Sequence, residues 1–202
     1  MQKDDRFLRF GEVVEASVDG IVGQCDRLFD PPPLGAIVRA GDLSIGIYGV
    51  ITDSETVPLD PTRRIIARGV ELESDEQVYK ENPQLNRLMR TDVKIATVGY
   101  RINGELAYYL PPYPCKIHTS IHLCSTLEIQ EFNQSMNYLS SLTKANSNNS
   151  EDVIAAVIKY ASKEHDSPSE FVFNAAKAVA LILGSDTQRL SEILKRLPLN
   201  RR

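Results

Sequence analysis

Thr91-Asp92-Val93-Lys94-Ile95-Ala96-Thr97-Val98-Gly99-Tyr100-Arg101-Ile102-Asn103-Gly104-Glu105-Leu106-Ala107-Tyr108-Tyr109-Leu110 sets the fold class of this chain. Val93, Ile95, Thr97 and Gly99 recur every second residue, the period of a half-buried strand. Asn103-Gly104 interrupts that period with a pair able to hold positive φ at both positions, as a type I′ turn demands. Glu105 to Leu110 then returns. A β-hairpin is predicted here, and the rest of the first half reads the same way.

Working toward the N-terminus, Phe7 to Val18 and Ile21 to Phe29 form a second hairpin about Asp19-Gly20. Asp30-Pro31-Pro32-Pro33 cannot donate to a ladder and must lie outside a central strand. Ala36 to Arg39, Ser44 to Thr52 and Ile65 to Val70 are further strand candidates. Ser74 to Met89 reads as helix in two pieces, because Pro83 restarts the chain after Asn82. Ile117 to Leu123 closes the β part. Working toward the C-terminus, the period changes at Ser125. Ser125 with Glu128 forms a capping box, followed by the stripe Ile129, Phe132, Met136 and Leu139. Lys144 to Ser150 is a polar linker. Val153, Ile154, Val157, Ile158 and Ala161 share one helical face, and Ser167-Pro168-Ser169-Glu170 starts another helix that Gly184 stops. A last helix carries Leu190, Ile193, Leu194 and Leu197. The expected fold class is α+β: a small closed β-barrel over residues 5–125 with a short helical insertion near 74–89, then a helical unit over 126–202. Its helices are expected at about 126–142, 151–164, 168–184 and 186–197, and their short connections imply a small antiparallel bundle.

Gly11-Glu12-Val13, Pro32-Pro33-Leu34-Gly35, Ile66-Ala67-Arg68-Gly69, Asn82-Pro83-Gln84-Leu85 and Tyr109-Leu110-Pro111-Pro112-Tyr113-Pro114 follow one another in an order that resembles the HAS barrel. That small barrel fronts HerA-type DNA-translocating ATPases and rotary ATP synthase subunits, and the resemblance covers roughly residues 7 to 125. It implies a role in assembly and in docking partners, including a nuclease, and it brings no catalytic residue with it. The helices that follow stand where a motor would carry its phosphate-binding loop. That loop needs Gly-x-x-x-x-Gly-Lys-Ser/Thr. None of the nine lysines follows a glycine, so ATP hydrolysis of that kind is not expected.

Composition narrows the function classes. With 42% hydrophobic and 25% charged residues the chain is an ordinary folded protein. It has no run of 18 apolar residues to span a membrane, and Met1 to Arg6 lacks the apolar core of a secretory signal, so a cytoplasmic location is expected. Three cysteines, Cys25, Cys115 and Cys124, are too few and too odd in number for a disulfide framework. Residues 1–125 carry 14 basic against 18 acidic side chains, and 126–202 carry 9 of each. Tight binding to a phosphate backbone draws on a basic excess that is absent here.

Four local groups are candidates for chemistry. Cys115, His118, His122 and Cys124 offer two thiols and two imidazoles, a ligand set suited to zinc. On a strand the two histidines would stand about 13 Å apart, too far for one ion. Polar residues on an exposed strand face, with Ile117, Ile121 and Leu123 inward, is the simpler expectation. A thiol nucleophile built on Cys25, Cys115 or Cys124 lacks an assigned histidine or oxyanion motif, and Cys25 reads as a core residue. Arg63, Arg64 and Arg68, with Arg87 and Arg90 farther on, suit carboxylate or phosphate capture, but Asp60, Glu71, Glu73 and Asp75 flank them. Tyr108 to Pro114 could anchor a partner, or rigidify a rim while its tyrosines pack across the barrel. No catalytic, cofactor-binding or metal residue is assigned on these grounds, and no cofactor or small-molecule substrate is expected. The expected role is a non-enzymatic assembly or adaptor protein whose partner is itself or a separate ATPase or nuclease. An accessory subunit touching DNA or RNA is the alternative, and an enzyme using the Cys/His group the third.

Overall fold

Hairpins and β-bulges build the first half of the molecule. The computed structural model describes residues 9–62, 64–67, 74–144 and 149–198. Its strands are β1 (Arg9–Ala16), β2 (Gly20–Cys25), β3 (Ile37–Gly41), β4 (Ile45–Pro58), β5 (Met89–Ile102), β6 (Glu105–Ala107) and β7 (Ser120–Leu123). The order β2-β1-β7-β3-β4-β5 closes through a β2–β5 pairing, and every pair is antiparallel. The result is a closed six-stranded barrel, with β6 attached outside it. β5 makes both arrangements possible because it is long. Its Asp92–Ala96 stretch pairs with β2, and its Tyr100–Ile102 stretch turns through Asn103 and Gly104 to pair with β6. Both turn residues have positive φ, 53° and 86°, as the type I′ reading requires. Register shifts at Val13/Glu15, Tyr48/Gly49 and Ile51/Asp53 supply the bends that a closing sheet needs.

Seven helices follow or interrupt the strands among the described residues: α1 (Asp75–Glu81), α2 (Leu85–Leu88), α3 (Thr126–Phe132), α4 (Leu139–Lys144), α5 (Ser150–Ser162), α6 (Pro168–Leu183) and α7 (Thr187–Arg196). None is long and apolar enough to cross a membrane. α5 packs against α4, α6 and α7, and also reaches β3 and β4. Two apolar cores result. Val13, Ile21, Cys25, Val38, Ala40, Ile51, Val93, Ile95 and Ile121 fill the barrel. On its outer wall Ile37, Tyr48, Val50 and Val98 join Ile129, Phe132, Leu139, Leu142, Ile154, Ile158, Ala175 and Val179 beneath the helices. This explains β3, whose Ile37-Val38-Arg39-Ala40 is buried at every position: alternate side chains enter alternate cores. Each large apolar side chain so buried contributes about 1.5–3 kcal/mol. Barrel and helices also meet backbone to backbone at Gly35, where a Cβ would lie 2.4 Å from the Ala156 carbonyl carbon and the Val157 nitrogen of α5.

Several sequence expectations need correction: the strand expected over Glu105 to Leu110 ends at Ala107, and the one expected over Ile21 to Phe29 ends at Cys25. The helix expected over 126–142 is two helices, because the polar run Asn133-Gln134-Ser135 favours a turn over a fourth helical turn, and Asn133 ends α3 at φ −82°, ψ 2°. The break lets the Tyr138 hydroxyl donate to Asn133 Oδ1 at 2.8 Å. The strand expected from Ile117 starts only at Ser120. Lys116–Thr119 is a turn instead, with Thr119 N–H and Oγ1 both donating to the Lys116 carbonyl. The strand expected at 65–70 is absent from its described part, 65–67, and residues 68–70 lie outside the described residues. Smaller differences concern caps. Ser125 and Glu128 form the full capping box, whereas Ser167 caps α6 without a side-chain hydrogen bond.

Candidate interaction surface

The β5–β6 hairpin is held by the pairing of Tyr100–Ile102 with β4 and by one guanidinium. Arg101 on β5 donates from Nη2 to Glu131 Oε2 on α3 (2.6 Å), from Nε to the Tyr48 hydroxyl (3.3 Å) and from Nη1 to the Gly104 carbonyl (3.3 Å). Turn, barrel wall and helix are thereby tied to one charge, and the Glu131 carboxylate holds that guanidinium more firmly protonated. Burial pushes the Tyr48 phenol up to about 12, so it stays a neutral partner.

Alternation along β6 separates two faces. Leu106 and Tyr108 turn toward the helix-side core, where the Tyr108 ring meets Phe132 at 5.1 Å. Phe132 also stacks on Tyr48 and touches Tyr138, both at 5.1 Å. Ala107 and Tyr109 share the other face with Tyr100, the residue opposite Ala107. The Tyr100 and Tyr109 rings meet edge to face at 5.4 Å, with their hydroxyls 3.1 Å apart. Beyond them Pro111 is buried, while Leu110, Pro112 and Tyr113 are exposed, Tyr113 at 78%. The tyrosines of this segment thus divide: Tyr108 packs inward, and Tyr109 and Tyr113 face solvent. Ligand clefts commonly hold about 300–1,000 Å³; here a recess of about 640 Å³ runs along the hairpin, lined by Tyr100, Asn103, Leu106, Tyr109 and Asn137. Among the described residues β6 pairs with β5 alone, so its other edge carries no strand.

A second ion pair supports the same helix. Arg39 on β3 is fully buried, and its Nε donates to Glu128 Oε1 at 2.8 Å. The guanidinium also donates to the Gly41 carbonyl. The other oxygen of Glu128 accepts from the Ser125 amide at 2.9 Å and hydroxyl at 3.0 Å. One carboxylate therefore caps α3 and neutralises a buried arginine. Sequence reading found the cap and missed the ion pair. The hint was a lone arginine inside the apolar run Ile37-Val38-Arg39-Ala40.

The Cys/His group is dispersed. His118 sits in the turn before β7 at φ 69°, 80% exposed, with Nδ1 paired to Glu12. His122 lies on β7 between Arg9 of β1 and Arg39 of β3. Cys124 is buried in the helix-side core and Cys115 lines the barrel core. Ile117 is exposed instead of inward, while Ile121 is buried. No group of three or more His, Cys, Asp or Glu side chains is arranged to hold a metal among the described residues. Cys25 lies in the barrel core, where burial, then the Asp92 charge, pushes its thiol up to about 11. A thiol held so firmly protonated is a poor nucleophile. In the arginine cluster, Arg63 and Arg68 lie outside the described residues, Arg64 and Arg87 are exposed, and Arg90 pairs with Asp92 at 2.8 Å.

A further recess of about 450 Å³ between the α3–α4 turn and the start of α6 is lined by Asn133, Met136, His165, Glu170, Phe171 and Asn174. Its His165 ring stacks on Phe171 at 4.2 Å, and burial lowers its pKa. No protein-family model matches the sequence, and no curated protein is similar enough to count as a relative.

Proposed function

We propose that this chain is a non-enzymatic assembly or adaptor protein, acting through protein–protein contacts of a HAS-like barrel and its helical unit, a small bundle with a second contact surface. The observation that carries this reading is the exposed rim of Tyr109, Leu110 and Tyr113, with half-buried Tyr100 behind it, beside the unpaired edge of β6. Aromatic side chains bring large contact area at low entropic cost and commonly anchor interfaces. An open strand edge offers backbone hydrogen bonds to an added strand. Both features stand on a hairpin fixed by Arg101, so little ordering is left for the moment of binding. The resemblance to HAS barrels adds that such barrels serve assembly and docking. The partner in this reading is the chain itself or a separate ATPase or nuclease, met in the cytoplasm.

The test is affinity capture from the native host at moderate salt, with nuclease treatment and mass spectrometry. The expected result is a protein recovered in near-equal amount that survives nuclease and is lost with Tyr109→Ser/Tyr113→Ser. Recovery that vanishes with nuclease would move the reading to a nucleic-acid-tethered subunit. A chain that retains no protein and does not self-associate would overturn it.

A further inference from the structure

We propose that His165 is an acid-released pin: unprotonated, its Nε2 accepts from the buried Asn133 amide and ties the α3–α4 turn to the start of α6, and protonation lets that turn go. The inference goes beyond the assembly reading and does not depend on it.

The geometry fixes who donates to whom. Tyr138 is fully buried, and its hydroxyl donates to Asn133 Oδ1 at 2.8 Å. That bond orients the Asn133 amide, which is itself buried, and aims Nδ2 at His165 Nε2, 3.5 Å away. An amide nitrogen of this kind only donates, so Nε2 must accept and the imidazole proton must sit on Nδ1. An imidazolium carries N–H at both positions, so donor would oppose donor. Turning the amide over answers the imidazolium but replaces the acceptor of the Tyr138 hydroxyl with a second donor, which is costly in a core.

The surroundings decide which form prevails. The His165 ring lies flat on Phe171 of α6, with centroids 4.2 Å apart. The loop before α6 brings the carboxylates of Glu164 and Asp166, and the first turn of α6 brings Glu170, which lines the same recess. Lys163 at the end of α5 is exposed, and the α3–α4 turn contributes only the uncharged Asn133, Gln134 and Met136. Burial disfavours the imidazolium more than Asp166 and Glu164 favour it, so the ring is held below its ordinary 6.5. The closed turn is therefore fully favoured above 6.5 and loses that advantage as pH falls through the lower, closed value. Phe132, next to Asn133, is the ring on which Tyr108 rests, so the footing of the β5–β6 hairpin shares this dependence.

Titration of the three histidines by NMR in the full chain is the first test, and it needs no variant. His165 is expected below 6.5. Tyr138→Phe, which keeps the ring and removes the hydroxyl that orients Asn133, should raise that value toward 6.5, whereas burial alone would leave it unchanged. Hydrogen exchange is the second test. The Gln134 and Leu139 amides, bonded to the Glu131 and Met136 carbonyls, should lose protection about three- to tenfold from about pH 7 to about pH 5, the factor for half to one unit of pKa. His165→Gln, which retains an acceptor that does not titrate, should abolish that loss. A His165 pKa at or above 6.5, a value that Tyr138→Phe does not raise, or protection that follows pH equally in the native chain and His165→Gln overturns the proposal.

Discussion

Arg39 of β3 and Glu128 of α3 form a buried ion pair at 2.8 Å, and the same carboxylate closes the N-terminus of α3 through Ser125. Barrel wall and helix cap thus depend on one side chain. Removing one member of a buried pair strands the other charge, which costs about 3–5 kcal/mol. Arg39→Met is expected to lower the unfolding free energy by that amount, seen as a lower urea midpoint at unchanged slope. In a double-mutant cycle with Glu128→Gln the combined loss should fall short of the sum. A cost of under about 1 kcal/mol would mean that the pair is dispensable.

Gly35 has φ +80° and no room for a Cβ against the α5 backbone at Ala156 and Val157. Gly35→Ala therefore meets both a disfavoured conformation and a clash with main chain, which cannot rotate aside. We expect a loss of roughly 2 kcal/mol or more in chemical denaturation, at the upper end for overpacking. Gly104→Ala meets no neighbour within 4 Å, so it pays only for its φ and should cost less.

Glu151 of α5 accepts from Arg189 Nε of α7 at 2.6 Å, and this bond holds its carboxyl below its usual 4.5. A folded pKa below the unfolded one contributes stability above the unfolded value, and that stability is lost as pH falls through the folded value. Thermal midpoints of the native chain and Glu151→Gln should differ at pH 7 and converge as the pH falls below 4.5 and through the folded value. A gap that stays constant across that window would separate the pair from the acid response.

Thiol labelling separates the three cysteines. Cys25 and Cys124 are buried, and Cys115 is half-buried. At pH 8 a maleimide should modify Cys115 first, with Cys25 reacting only on unfolding, because its thiol is held up to about 11. Mapping by mass spectrometry that found Cys25 first would contradict its place in the barrel core.

Much of the barrel was legible because its signals are local. Asp19-Gly20 and Asn103-Gly104 fix turns by backbone conformation alone, and period-two alternation marks β5 as a strand. The capping box at Ser125 placed the change to helix within a residue. What was missed depends on distant partners. The short β7 begins late because Lys116–Thr119 closes a turn on itself, and no periodicity in Ile117 to Leu123 records that. The break at Asn133 is stabilised by Tyr138, whose hydroxyl bond forms only once the chain has folded back. For the candidate surface, the sequence showed the aromatic residues Tyr108, Tyr109 and Tyr113 but not which of them face solvent. That division follows from Phe132, which lies on another element and claims Tyr108.

β7 lies between β1 and β3, although it follows both by a long stretch of chain. During synthesis the barrel therefore cannot close when its first strands leave the ribosome. β1 and β3 wait with one edge each unfilled until Ser120–Leu123 appears and pairs with both. Non-local pairing of this kind is slow, since loop closure is met before any contact rewards it. α3 emerges next, beginning at Thr126, and brings Glu128 to the waiting Arg39. The last strand to arrive is thus a four-residue keystone, and the helix immediately behind it is the latch.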